Sequence, residues 1–181
     1  IYSLGLKFFF SQMLALVIFS SSNIILTNVV NPEEVTVYNI ARTYFTLPLT
    51  FFLIVLNPYW SAITEAFVKE EYDWIKNNIK QLKKVGLIFS IGLIGMLGLS
   101  DLAFKIWIGD RVDIPLNLCI VFTVYVISIM FLSPYNYFLN GVGKLNLVIR
   151  ISIFKMIAFL PAAIYFVSLF GAFGLVMAHF L

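Results

Sequence analysis

Apolar runs long enough to cross a bilayer follow one another through this chain with only short polar breaks. That succession admits few folds. Backbone N–H and C=O groups in hydrocarbon have no water to bind, so a spanning segment must satisfy them as a helix or a closed barrel. A helix needs about 20 mostly apolar residues to cross, and runs of that order are what the sequence supplies. Of 181 residues, 61% are hydrophobic and 12% charged, with a mean hydropathy of +0.98. A soluble domain is about half apolar and a quarter charged. The expected class is an all-α integral membrane protein with about six transmembrane helices and one interfacial amphipathic helix. Nucleic-acid binding is not expected of so apolar a chain.

Five spans and the start of a sixth are expected. The first runs from about Leu4 to Val30 and turns at Asn31-Pro32-Glu33-Glu34. The second covers about Val35 to Tyr59, the third Leu82 to Ile108, the fourth Pro115 to Leu139 and the fifth Lys144 to Phe170. A sixth starts at Ala172. The chain opens at Ile1 without a methionine and closes inside an apolar run, so a piece of a longer membrane protein is expected. No signal peptide is expected, since no basic start precedes a short apolar stretch and a small-residue cleavage site.

Basic residues orient the spans. Lys7, Lys69, Lys76, Lys80, Lys83, Lys84 and Lys144 would share one side. Only Lys105 and Arg111 fall on the other, beside Glu33, Glu34, Asp101, Asp110 and Asp113. Lysine and arginine are retained on the cytoplasmic side of short loops, so the first span is expected to leave the cytoplasm. The stretch Leu56–Lys84 holds five of these seven lysines. Trp60, Ile63, Phe67, Trp74 and Leu82 follow helical periodicity along one side, and Lys69, Lys76, Lys80 and Lys83 recur along another. An interfacial helix over 61–81 on the cytoplasmic face is expected; a solvated linker helix is the alternative.

Ionisable groups at membrane depth cost about 2.5–3.5 kcal/mol each at the centre, so those present are candidate functional groups. Arg42, Arg150 and Lys155 lie within spans, and no acidic residue lies comparably deep. Such a basic set suits an anionic substrate such as a phosphate or pyrophosphate. Snorkelling, or pairing with acids elsewhere, is the competing account. Asn39, Thr43, Thr46, Thr50 and Asn57 share one face of the second span, and Gln12 and Asn23 share one of the first. Tyr125, Ser128 and Asn136 align in the fourth. These groups either bond neighbouring helices or line a path, with Asn23, Asn39 and Thr46 as candidate lining. Pro48, Pro58, Pro134 and Pro161 would kink their spans, as transporter helices often are, or be tolerated without a role. Gly86, Gly92, Gly95 and Gly98 suit close helix approach.

Enzyme constellations are not in view. One cysteine, Cys119, and one histidine, His179, make no zinc site, and Cys119 is expected to pack. No metal and no cofactor are expected, and no P-loop appears. A membrane polymerase or acyltransferase would need catalytic loops longer than these; a structural scaffold would leave the basic groups unexplained.

The stretch Pro58-Tyr59-Trp60-Ser61-Ala62-Ile63-Thr64-Glu65-Ala66, followed by the lysine-rich segment, resembles the polysaccharide (O-antigen) flippases of bacteria. So do Gly5-Leu6-Lys7-Phe8-Phe9, Trp107-Ile108-Gly109-Asp110 and Asn140-Gly141-Val142-Gly143-Lys144, in that order and spacing. The resemblance covers nearly the whole chain. It implies that residues 1–181 form the carboxy-terminal helical half-bundle of a longer transporter, facing an amino-terminal half across a central cavity. It implies export of an undecaprenyl-pyrophosphate-linked oligosaccharide across the bacterial cytoplasmic (inner) membrane; on that reading Arg42, Arg150 and Lys155 are expected to contact the pyrophosphate or set a basic cavity. Implied partners are that lipid-linked oligosaccharide, membrane lipids and the amino-terminal half, with a polysaccharide polymerase as a further candidate. Alternating access coupled to a proton or sodium ion is usual in the family. Many relatives carry an acidic residue just before the asparagine matching Asn23; Ser22 stands there, leaving coupling through that span without its usual carboxylate. A small-molecule or multidrug antiporter of the same fold is the alternative activity.

Overall fold

The chain's longest helix starts where its sequence says it should. Asn31 is extended (φ −166°, ψ 165°) and its side chain accepts a 2.8 Å hydrogen bond from the Glu34 backbone N–H. Pro32 fills the first helical position, where a missing N–H costs nothing, and Glu33 and Glu34 face the positive end of the helix dipole. The computed structural model describes residues 2–109 and 112–181, without the side chains of residues 2–4, 7, 8 and 11. Asp110 and Arg111, and the side chain of Lys7, therefore lie outside the described residues.

Six helices follow in order: α1 (Tyr2–Val29), α2 (Pro32–Val68), α3 (Tyr72–Gly98), α4 (Ser100–Ile108), α5 (Leu116–Gly141) and α6 (Leu145–Ala178). All but α4 are long and apolar enough to cross a membrane, and no strand occurs among the described residues. The expected first, second, fourth and fifth spans coincide with the bodies of α1, α2, α5 and α6. The third divides at Leu99 into α3 and α4.

The 61–81 segment is not a separate helix. Residues 61–68 complete α2 and 72–81 begin α3, with the chain reversing between them. The reversal is a Schellman turn: Glu71 N–H donates to the Ala66 carbonyl (2.9 Å) and Glu70 N–H to that of Phe67 (3.2 Å), with Glu70 at φ 58°. Glycine normally takes that left-handed position, so a glutamate there carried no signal of a stop. The seven-residue step from Phe67 to Trp74 mimicked a continuous stripe, but it spans the turn. Of that stripe Ile63 and Leu82 are buried, while Phe67 and Trp74 are exposed. Glycine does hold the equivalent place between α5 and α6. There Lys144 N–H donates to the Leu139 carbonyl (2.9 Å) and Gly143 N–H to that of Asn140 (3.2 Å), with Gly143 at φ 73°.

The buried residues of α2 (Tyr38, Ala41, Phe45, Leu49, Phe52, Leu56, Ile63 and Ala66) recur at steps of three, four or seven residues. Their stripe packs on α3 and α5, where Phe45 stacks on Phe122 at 6.4 Å. Contact is tightest at the lysine-rich end. A Cβ on Gly141 would lie 2.8 Å from Ile63 Cγ2, and Thr64 Oγ1 donates to the Gly141 carbonyl at 2.9 Å. Among the third-span glycines only Gly86 meets a neighbour, the Phe52 ring at 3.5 Å; Gly92, Gly95 and Gly98 face open space. Helix α2 continues through Pro48 and Pro58, α5 through Pro134 and α6 through Pro161. Cys119 is buried and free, as a packing residue would be.

Among the described residues, the one break inside a helix is at Gly171 (φ 57°, ψ −138°). Beyond it the chain turns back along α6, so that Gly174 meets Phe166 and His179 stacks on Phe159. The residues after the break run antiparallel to those before it. Glu34 receives the turn: its Oε2 accepts the Ala172 N–H at 3.0 Å.

Because a left-handed residue other than glycine costs about 1–2 kcal/mol, Glu70→Gly should stabilise the full-length protein by about 1 kcal/mol. Glu70→Val should destabilise it. Thermal unfolding in detergent reads both, and a lower midpoint for the glycine variant would contradict the turn.

Candidate functional site

The reversal at Gly171 closes one side of a cavity of about 300 Å³ between α1, α2, α5 and α6. Each helix supplies residues at helical spacing. Ala15, Ile18 and Phe19 come from α1, Tyr38 and Arg42 from α2, Phe122 and Tyr125 from α5, and Ser152 and Lys155 from α6. His179 closes the end. Two lining residues are basic, five are aromatic or histidine, and none is acidic.

Both cations are partly buried and neither has an acidic partner among the described residues. The Arg42 guanidinium lies over the Phe19 ring, 3.9 Å from its centroid. This contact holds the side chain through the ring's negative face and consumes no N–H donor. None of its five donors meets an acceptor among the described residues. Lys155 donates one hydrogen bond, to the His179 carbonyl at 3.0 Å, and two of its three donors stay unused. The hydroxyls of Tyr125 and Ser152 also have no partner among the described residues, and no buried side-chain polar atom is orphaned there. The unspent donors are therefore those that the cavity reaches.

His179 is fixed rather than available. Its ring stacks on Phe159 (4.6 Å, 27°), and its Nε2 lies 3.3 Å from Ser22 Oγ and 3.4 Å from the Tyr38 hydroxyl. Ser22 gives its one proton to the Ile18 carbonyl at 2.9 Å. In the Ser22–His179 contact the donor is therefore Nε2–H. Ser22 thus serves packing between α1 and the returning chain.

Of the residues singled out by sequence, Arg42, Lys155 and Tyr125 line the cavity, while Arg150, Asn23, Asn39 and Thr46 do not. Arg150 is exposed on α6; five residues before Lys155, it projects about 140° away around the helix. Asn39 Nδ2 donates to Asn23 Oδ1 at 3.3 Å, a rung between α1 and α2. Thr46 Oγ1 donates to the Arg42 carbonyl at 2.8 Å, while Thr43 and Thr50 bond back to Asn39 and Thr46 in the same way. Asn57 accepts from the Tyr137 hydroxyl at 2.6 Å. These groups join helices or satisfy their own backbone. Tyr38, Phe19, Ser152 and His179 were not anticipated. For two of them a signal lay in spacing from the cations: Tyr38 is four residues before Arg42, and Ser152 three before Lys155.

The described residues hold no cluster of three metal-ligating side chains. No family model matches this chain, and no curated protein or solved structure matches it either.

A Cβ on Gly174 would collide with the Phe166 carbonyl. Overpacking of this kind costs typically 1–3 kcal/mol, so Gly174→Ala should loosen the returning segment. In the full-length protein carrying His179→Cys, it should speed labelling by a water-soluble maleimide about tenfold or more. An unchanged rate would show that this contact does not hold the segment.

Proposed function

We propose that this chain is the carboxy-terminal half of a transporter that exports undecaprenyl-pyrophosphate-linked oligosaccharide across the bacterial inner membrane. The observation that carries the reading is the convergence of unspent donors from Arg42, Lys155, Tyr125 and Ser152 on one cavity without a carboxylate. A pyrophosphate would accept those bonds and neutralise both charges. Arginine offers its planar fork to two phosphate oxygens, and lysine acts as a point charge. At about 300 Å³ the space is of a size for the phosphate group rather than the glycan; typical ligand pockets start near that volume. The sugar chain would occupy space facing the amino-terminal half.

In this reading the lysine-rich end is cytoplasmic, the returning segment after Gly171 opens the sixth span, and the aromatic walls meet the first isoprene units. Residues 172–179, capped by Glu34 and packed on α6, form the wall that would separate the phosphate from the acidic end of the bundle. A cationic drug would be repelled by Arg42 and Lys155, so the antiporter alternative lacks support from this lining. The resemblance in sequence order and the chemistry of the cavity support the same substrate independently.

Charge-assisted hydrogen bonds are worth about 1.5–3 kcal/mol, so Arg42→Gln or Lys155→Gln in the full-length protein should cut surface polysaccharide about tenfold or more at normal protein levels. Arg42→Lys should fall between, and Arg150→Gln should stay near wild type. Wild-type polysaccharide from both cavity glutamine variants would remove the proposal.

A further inference from the structure

A second basic site lies on the other side of α5, away from the cavity. Here the first turns of α3 and the end of α5 enclose a groove of about 460 Å³. Its floor is apolar, formed by Ile75, Ile79 and Phe138. Its rim carries Lys76, Lys80 and Lys83, and no acidic residue lines it. The three lysines are spaced by four and three residues, which sets them on one face of α3. Lys83 is also held across the groove: its Nζ donates to the Tyr135 hydroxyl at 3.0 Å and lies 5.3 Å from that ring's centroid. A freely snorkelling lysine has no such partner. Two helices therefore build the site together.

We propose that this groove binds one anionic phospholipid, its phosphodiester headgroup among Lys76, Lys80 and Lys83 and the upper part of an acyl chain on the Ile75–Ile79–Phe138 floor. Charge complementarity requires an anion, and the floor requires that the anion carry hydrocarbon. An inorganic phosphate would leave the floor uncovered, and a zwitterionic lipid would bring its own cation against three lysines. The groove sits at the end of the bundle where basic residues gather, which on the orientation proposed above faces the anionic lipids of a cytoplasmic leaflet. It shares no lining residue with the cavity around Arg42. Lipid binding here is thus separable from transport, and a bound lipid would clamp α3 to α5.

The test uses the purified full-length protein in a mild non-ionic detergent, titrating short-chain phosphatidylglycerol with an acyl fluorophore and reading anisotropy. Saturable binding at least about tenfold tighter than for the matched phosphatidylcholine is expected, since three lysines line the groove and each lysine near the surface contributes about a fivefold attraction to an acidic lipid. The double variant Lys76→Gln/Lys80→Gln should weaken phosphatidylglycerol about thirtyfold on the same basis. The charge-matched control Lys84→Gln/Lys144→Gln, which removes two lysines of the same end outside the groove, should keep wild-type affinity. Equal loss in both variants would reduce the effect to general surface attraction and overturn the site. Equal affinity for phosphatidylcholine would do the same, as would displacement by inorganic phosphate at concentrations comparable with the lipid.

Discussion

Two positive charges face one cavity with no negative charge beside them, and the architecture around the cavity is organised by what that costs. On insertion scales a basic group near the middle of a bilayer carries about 2.5–3.5 kcal/mol, so spanning by these helices would place roughly 5–7 kcal/mol on Arg42 and Lys155 together. That is comparable with the whole stability of many domains. Interactions that do not neutralise charge hold both side chains in place. Arg42 leans on the Phe19 ring, and Lys155 reaches a single carbonyl at the end of the returning chain. A packing role alone would be met by leucine at lower cost. Retaining two cations with most donors unspent makes sense where a polyanion supplies the missing partner.

The rest of the fold serves that arrangement. The aromatic stripe of α2 stacks against α5, so Tyr38 and Arg42 are presented from a helix locked along much of its length. Glu34, at the start of that helix, receives the backbone where α6 breaks. The same helix therefore positions both a cation and the wall that closes over it. His179 ends that wall, wedged between Phe159, Ser22 and Tyr38. A positive φ at Gly171 and the absence of a side chain at Gly174 are what let the chain double back so tightly.

Hydropathy made the spanning helices legible, because each depends on a local property summed over many residues. Basic residues at depth were legible too, since their rarity in apolar runs marks them. Two features were hidden for physical reasons. The reversal at 69–71 uses glutamate in a backbone conformation that usually calls for glycine, and apolar spacing across it matched a helix by coincidence. The polar faces of the spans looked like cavity lining, yet threonine hydroxyls in helices reach their own carbonyls four residues back and asparagines pair across helices. Tyr38, Phe19 and His179 come together only through tertiary packing, the last from the far end of the chain. A sequence displays which groups are polar; which side of a helix faces empty space is decided by its neighbours.

Helix α2 has 37 residues, and at 1.5 Å per residue it measures about 55 Å. A bilayer is about 40–45 Å thick with its headgroups, so even a moderately tilted helix of this length overshoots it. Charged Glu65 and Lys69 mark the overshooting end, and α3 rises beside it from Tyr72. The bend at Lys69-Glu70-Glu71 is exposed at the far end of this helix. It offers a natural mounting point for an epitope, a fluorophore or a protease cleavage sequence, exposed and outside the cavity lining.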